Sequence, residues 1–222
     1  MASFSFRRKS AEQVRYDGNM SQDLTQLGSA IAAEKAGMVM SFAVTQGELT
    51  FVIERESVAE FLSFLRDDAR TRCEQLMDVC GVDYPARQLR FEVVYNLLSV
   101  TKNHRIRVKL ATDEASPVPS VSGVYPSAGW FEREVWDMYG VFFDGHPDLR
   151  RILTDYGFDG HPQRKDFPLT GFVELRYDED EKRVKYSPVK LQQAYRSFDF
   201  MSPWEGADYP APTPAPEKAK TA

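Results

Sequence analysis

Apolar residues recur at helical spacing from Leu24 through Leu27 to Ile31, with Ser21 placed to cap the helix and Gly37 to stop it. Two alternating segments follow, Met38–Val44 and Leu49–Ile53, and the intervening Gln46-Gly47 predicts a hairpin. Ser57-Val58-Ala59-Glu60 has capping-box spacing, in which serine and glutamate satisfy each other's exposed helix-start amides. The helix it opens sets Phe61, Leu62, Leu65 and Ala69 on one stripe and ends within 69–76. A short strand over Met77–Val82 closes at Tyr84-Pro85. Phe91, Val93, Tyr95 and Leu97 then share one face of a strand. After a turn at Lys102-Asn103, Ile106, Val108 and Leu110 point inward while Arg105, Arg107 and Lys109 point out, the pattern of a half-buried antiparallel strand.

Pro117 and Pro119 interrupt the pattern, and Ser127 is placed to cap a helix from Trp130 to Tyr139 that stops at Gly140. Trp130, Val135 and Met138 are its predicted inward residues, with Phe131 a further candidate. Clustered strands without strict β-α alternation imply an α+β fold: a two-layer sandwich with a mainly antiparallel sheet packed by helices, followed by an extended C-terminal arm. Beyond Gly140 the periodicity disappears. Turn signals recur through 141–171, and 172–190 reads as a charged hairpin with Val173, Leu175 and Tyr177 facing Val184 and Tyr186. From Pro203 the chain is rich in proline and alanine, with few core-forming residues. The predicted organisation is an N-terminal extension (1–20), a compact α+β domain (21–140), a signature loop and charged hairpin that dock on a partner (141–190), and an extended or disordered tail (191–222). So long an aperiodic stretch is improbable inside one compact domain, which favours a chain laid over a neighbour.

Charge and ligand inventory narrow the function. A net charge of −5 gives no basic field for nucleic acid. No run approaches the ~18 apolar residues that span a bilayer, and the N-terminus lacks the apolar core of a secretory signal. Only Cys73 and Cys80 are present, too few thiolates for an iron–sulfur cluster, and both are expected in a reduced interior. No G-x-G-x-x-G or Walker loop appears, and no serine or cysteine has a nucleophile setting. The catalytic, cofactor and metal sets expected on this chain are therefore empty.

The densest chemistry lies in Trp130-Phe-Glu-Arg-Glu-Val-Trp-Asp-Met-Tyr-Gly140, His146-Pro-Asp-Leu-Arg-Arg-Ile-Leu-Thr-Asp155 and Gly160-His-Pro-Gln-Arg-Lys-Asp-Phe-Pro-Leu-Thr-Gly171. Arg133 and Asp137 stand at i,i+4 and can pair along one helix face. His146, Asp148, Asp155, Asp159 and His161 form an alternative metal or acid/base set, the basis for a free-standing metal-dependent enzyme using His146 and His161. Against it, both histidines precede proline in turn-like Gly-His-Pro repeats. The five aspartates in 144–171 are nearly balanced by Arg150, Arg151, Arg164 and Lys165, as in an internally paired loop or interface.

These three segments resemble the signature of the 30 kDa subunit family of proton-pumping NADH:quinone oxidoreductase, respiratory complex I. The resemblance runs from the first helix to Pro188. It implies a cofactor-free scaffold in the hydrophilic arm, beside the hydrogenase-large-subunit-like subunit of the quinone cavity and the iron–sulfur subunits. NADH, FMN, the clusters and quinone are then bound by other chains. By resemblance Glu132, Arg133, Glu134, Asp137, His146, Arg150, Arg151, Asp155, Arg164, Asp166 and Phe167 build fold and interface, none with a chemical role. The implied location is peripheral, on the cytoplasmic side of a bacterial inner membrane, with the mitochondrial matrix side as the alternative. Equivalent subunits of membrane-bound hydrogenases and chloroplast-type dehydrogenases are the nearest alternatives.

Overall fold

Strands β4 (Phe91–Ser99) and β5 (His104–Thr112) pair antiparallel from Phe91↔Thr112 to Ser99↔His104 and hold the middle of a five-stranded sheet. This computed structural model describes residues 11–193. β3 (Gln75–Asp83) runs antiparallel to β4, while β2 (Glu48–Ile53) lies parallel to β5 and antiparallel to β1 (Val39–Thr45). The order is β1-β2-β5-β4-β3, so one parallel contact sits in an otherwise antiparallel sheet.

Period-2 alternation divides the sheet as the sequence predicts. Phe91, Val93, Tyr95, Leu97, Ile106, Val108 and Leu110 are buried on one face. On the other, Arg105 is exposed, and Arg107 and Lys109 are half-buried. Arg107 donates to Asn96 at 3.0 Å and Glu48 at 2.7 Å, and Lys109 meets Glu92 at 3.0 Å. The predicted hairpin turn has φ of 53° at Gln46 and 79° at Gly47, the two positive values that a type I′ turn requires.

Helices α1 (Ala11–Glu34), α2 (Val58–Asp67) and α3 (Ala128–Tyr139) cover the apolar face. Phe61 of α2 meets Phe51 of β2 edge-on at 5.4 Å, an arrangement the ring quadrupoles favour. Gly28 lets α1 approach so closely that a Cβ there would lie 2.7 Å from the Phe42 ring. Likewise a Cβ on Gly81 would stand 2.7 Å from Tyr139 of α3. All three helices thus lie on one side of a mainly antiparallel sheet: a two-layer α+β sandwich, as expected. None of the helices described is long and apolar enough to cross a membrane. Cys73 is buried, Cys80 is half-buried, and both are free thiols.

Several boundaries differ from the predicted ones. α1 starts at Ala11, so Ser21 lies inside it and not at its cap. Residues 11–20 contain no proline and open with Ala-Glu-Gln, good helix formers, so the helix continues past the predicted start. Ser57 makes no capping bond because it ends a 3₁₀ turn (Arg55–Ser57), with φ −89° and ψ 0° in place of the extended backbone an N-cap needs. α2 ends at Asp67, since Asp68 turns extended (ψ 131°) and its carboxylate takes the Arg70 N–H at 2.7 Å; Ala69 is therefore exposed, outside the stripe.

Between the sheet and α3, Val118–Pro119 forms a short strand, β6, that pairs parallel with β7 (Phe143–Asp144). The chain divides into two units at Phe172–Val173. The first holds the sheet, the three helices and residues 141–172. The second holds the predicted hairpin, β8 (Val173–Asp178) with β9 (Arg183–Pro188), in which Leu175 pairs with Tyr186 and Tyr177 with Val184. The tail expected over 191–222 lies outside the described residues beyond position 193.

Candidate functional site

α3 carries an unusual load for a short helix: beside Ala128, Val135 and Met138 it buries Glu132, Arg133 and Asp137. Buried charges are tolerated only when paired and hydrogen-bonded, and the 118–122 and 146–164 segments supply the partners. Trp130, expected inward, is 64% exposed, and the Arg133 guanidinium lies 5.2 Å from its ring centre.

Asp137 is the centre of the arrangement. One carboxylate oxygen accepts three successive backbone N–H groups, from Ile152 at 3.0 Å, Leu153 at 2.8 Å and Thr154 at 2.9 Å. The other accepts Arg151 Nη1 at 2.8 Å and the Thr154 hydroxyl. Burial works to raise its pKa, but the bonds from Thr154, Arg151 and Leu153 outweigh it and hold the carboxyl far below the usual carboxylate range. The expected Arg133–Asp137 helix-face pair does not form. Arg133 instead donates to the carbonyls of Arg150 at 3.0 Å and Arg151 at 2.9 Å. Loop groups reach both side chains in better geometry than one exposed turn allows.

Arg151 clamps the far side. It also donates to Thr154 at 3.2 Å and to the Gly160 carbonyl at 3.1 Å, with its guanidinium carbon 5.7 Å from the Trp136 ring centre and 5.8 Å from that of Phe158. Glu132, fully buried, accepts the Val121 N–H at 2.7 Å and the Ser120 hydroxyl at 2.6 Å. Burial pushes its pKa up, with those bonds and His146 opposing.

The two histidines act as spacers. His146 Nε2 donates to the Gly129 carbonyl at 3.0 Å while Nδ1 accepts the Asp148 N–H at 3.0 Å, so both ring nitrogens are in use. His161 Nδ1 donates to the Asp137 carbonyl at 3.0 Å, and burial lowers its pKa. No group of three or more histidine, cysteine, aspartate or glutamate side chains placed to hold a metal ion occurs among the described residues. The metal-site alternative put His146 and His161 together; each ring instead bonds a different main-chain carbonyl of α3.

A second ionic knot fixes the end of the signature to the sheet. Arg164 donates to the Tyr139 carbonyl at 2.6 Å, meets Glu114 at 3.3 Å and lies over Phe91 at 5.1 Å. Arg90 grips both oxygens of Asp83, at 2.7 and 2.8 Å, and reaches Asp166 at 3.0 Å. Asp83 in turn accepts the Lys165 N–H at 2.7 Å, and the Arg90 guanidinium holds its carboxyl below the usual range. Asp83, Arg90, Glu114 and Ser120 were not among the predicted site residues, since they lie outside the signature and only the fold brings them in. Gly140 (φ 78°) makes the crossing possible: a Cβ there would stand 2.5 Å from Arg164 Nη2 and 2.6 Å from His161 Nε2.

Of the remaining predicted residues, Phe167 lies between Phe158, tilted to it at 6.0 Å, and Phe172, edge-on at 5.6 Å. Arg150 is exposed and bound to Asp148 at 2.8 Å. Glu134 and Asp155 are exposed. The structure thus gathers Glu132, Arg133, Asp137, His146, Arg151 and Arg164 about α3 and leaves Glu134, Arg150, Asp155 and Asp166 exposed.

The family described as respiratory-chain NADH dehydrogenase, 30 Kd subunit, matches residues 51–173. The C 1 subunit of the NADH-quinone oxidoreductase of Rhizobium etli (strain CIAT 652) is 60% identical over 201 residues, 90% of this chain and 100% of that protein. The C-subunit of the Caulobacter vibrioides enzyme (strain ATCC 19089 / CIP 103742 / CB 15) is 62% identical over 193 residues, 87% of this chain and 97% of its own. Among solved structures, a chain of the membrane-bound sulfane sulfur reductase, an archaeal respiratory membrane complex, superposes with a TM-score of 0.57. It is 27% identical and covers 65% of this chain and 85% of its own.

Proposed function

The chain belongs to the respiratory-chain NADH dehydrogenase 30 kDa subunit family, and we propose that it serves NADH:quinone oxidoreductase as a cofactor-free structural subunit of the hydrophilic arm. In this reading the 141–172 loop and the 173–188 hairpin dock on neighbouring subunits. Those neighbours are the hydrogenase-large-subunit-like protein of the quinone cavity and the iron–sulfur subunits. NADH, FMN, clusters and quinone are bound elsewhere in the assembly, and the chain sits peripherally on the cytoplasmic side of the inner membrane.

The observation that carries the reading is the use made of Asp137. A buried carboxylate spends both oxygens on positioning residues 151–154. The same loop presents Leu153 at 62% and Tyr156 at 88% exposure. Large apolar side chains held outward on a rigid loop suit a docking surface.

Affinity purification of the tagged chain from detergent-solubilised membranes tests this. The iron–sulfur and quinone-cavity subunits are expected to co-purify with NADH:quinone activity, and metal analysis of the isolated chain is expected to show no stoichiometric ion. Recovery of a lone chain carrying bound metal or a cofactor absorption band overturns the reading.

A further inference from the structure

The two carboxylates buried in α3 have opposite surroundings. Asp137 receives three main-chain N–H groups, a hydroxyl and the Arg151 guanidinium, enough to hold a negative charge in the interior. Glu132, fully buried five residues earlier, accepts the Val121 N–H at 2.7 Å and shares a 2.6 Å bond with the Ser120 hydroxyl. Among the described residues its one ionic neighbour is His146, 3.9 Å away. That ring is neutral, because Nδ1 accepts the Asp148 N–H while Nε2 donates to the Gly129 carbonyl. A second proton would set Nδ1–H against the Asp148 N–H. From β4 the titratable group facing Glu132 is Tyr95, an uncharged phenol whose buried hydroxyl has no partner among the described residues. An ionised Glu132 would therefore be a buried charge without a counter-charge.

A protonated carboxyl fits every contact. Its carbonyl oxygen accepts the Val121 N–H, and its hydroxyl donates to Ser120 Oγ across the 2.6 Å bond. Ser120 then donates its own proton to Ser122 Oγ at 2.9 Å, a pair in which either hydroxyl can be the donor. Ser120 Oγ also accepts the Ser122 N–H at 3.3 Å, so its remaining capacity is used. Burial raises the Glu132 pKa against the opposing pull of Ser120, Val121 and His146, in the same direction as the geometry.

We propose that Glu132 is a neutral carboxylic acid in the folded chain and that its proton latches the 120–122 segment to α3. The latch is sensitive to pH, since ionisation strands a charge between a neutral tyrosine and a neutral histidine. A group that holds its proton more tightly folded than unfolded stabilises most at low pH, and that contribution is lost as pH rises through the folded value. The latch reaches beyond its own segment. Ser120 donates its N–H to the Asp144 carbonyl at 2.8 Å, and Val118–Pro119 pairs with Phe143–Asp144, so the start of the 141–172 loop is tied to the same proton.

Infrared spectroscopy of the full chain at about pH 6 tests this, because exposed carboxyls with pKa values of about 4 are then almost wholly ionised. A protonated-carboxyl C=O band worth one group per chain is expected, and Glu132→Gln is expected to abolish it. Glutamine keeps both bonds, its oxygen accepting from Val121 and its amide N–H donating to Ser120. Glu132→Gln is therefore expected to melt at or above the wild-type temperature at about pH 7.5, and its advantage in urea midpoint to grow from about pH 5 to about pH 8. The histidines and the other carboxyls are common to both chains and cancel in that difference. Absence of the band from the wild-type chain overturns the proposal, whether or not the variant folds. So does a band that survives in Glu132→Gln, or a variant whose deficit against the wild type widens as pH rises, which makes the ionised carboxylate the stabilised form.

Discussion

Asp137→Asn removes one charge and almost no volume, and its cost can be worked out from the bonds. The amide oxygen can keep the three N–H groups of Ile152, Leu153 and Thr154. The amide nitrogen then faces Arg151 Nη1, a cation with no acceptor to offer, where the carboxylate had accepted it at 2.8 Å. Thr154 can turn its hydroxyl to accept; Arg151 cannot. Breaking a buried ion pair from one side costs about 3–5 kcal/mol. Arg151 keeps 20% of its side-chain surface in water, so the lower end applies, about 3 kcal/mol. Against a typical stability of about 5–15 kcal/mol that is a large fraction, and for a chain of this size it lowers Tm by on the order of 10 °C. Urea unfolding of the purified chain measures the loss, and hydrogen exchange localises it, with faster exchange expected at the amides of residues 152–154. A loss below about 1 kcal/mol with unchanged protection there would show that Asp137 does not hold the loop.

Three further outcomes follow from the same geometry. Gly140→Ala is expected to cost about 1–3 kcal/mol, because the residue is left-handed (φ 78°) and the new Cβ meets Arg164 and His161; a thermal melt within about 1 °C of wild type contradicts it. His104 and His161 have pKa values lowered from 6.5, chiefly by burial. Protonation therefore favours the unfolded chain: neither ring weakens the fold above pH 6.5, and stability falls as pH drops from there toward the folded values. Urea midpoints at about pH 7.5 and pH 5 check the sign. Glu132→Ala, which strands the buried Val121 N–H and empties a fully buried site, is expected to destabilise by about 2 kcal/mol or more. Glu134→Ala at the exposed position two residues on should stay within about 0.5 kcal/mol by the same urea titration.

Strand pattern, hairpins and the Gly140 stop were legible in the sequence because each depends on neighbours a few residues away. Leu175 and Tyr177 face Tyr186 and Val184 as the alternation requires. The helix contacts were less so. Spacing along α3 says Arg133 and Asp137 can meet, but not that carbonyls, amides and the Arg151 guanidinium 14–18 residues later compete for them. Trp130 is likewise misplaced by spacing alone: it stands on the side of α3 that carries Arg133 and Asp137, away from the core face of Val135 and Met138.

The parallel contact of β2 with β5 has a consequence for how the chain folds. β1 and β2 can close their hairpin soon after residue 53 is made, but Phe51 finds its parallel neighbour only at Val108. β5 must therefore be made before the hairpin can join the sheet, and closing so wide a loop slows the search. Until then the apolar side of the hairpin, Leu49, Phe51 and Ile53, lacks its β5 neighbour and is left to the elements already made, among them α1 beside Leu49 and Phe61 of α2 beside Phe51. A nascent chain arrested between residues 60 and 104 would be the form in greatest need of a chaperone.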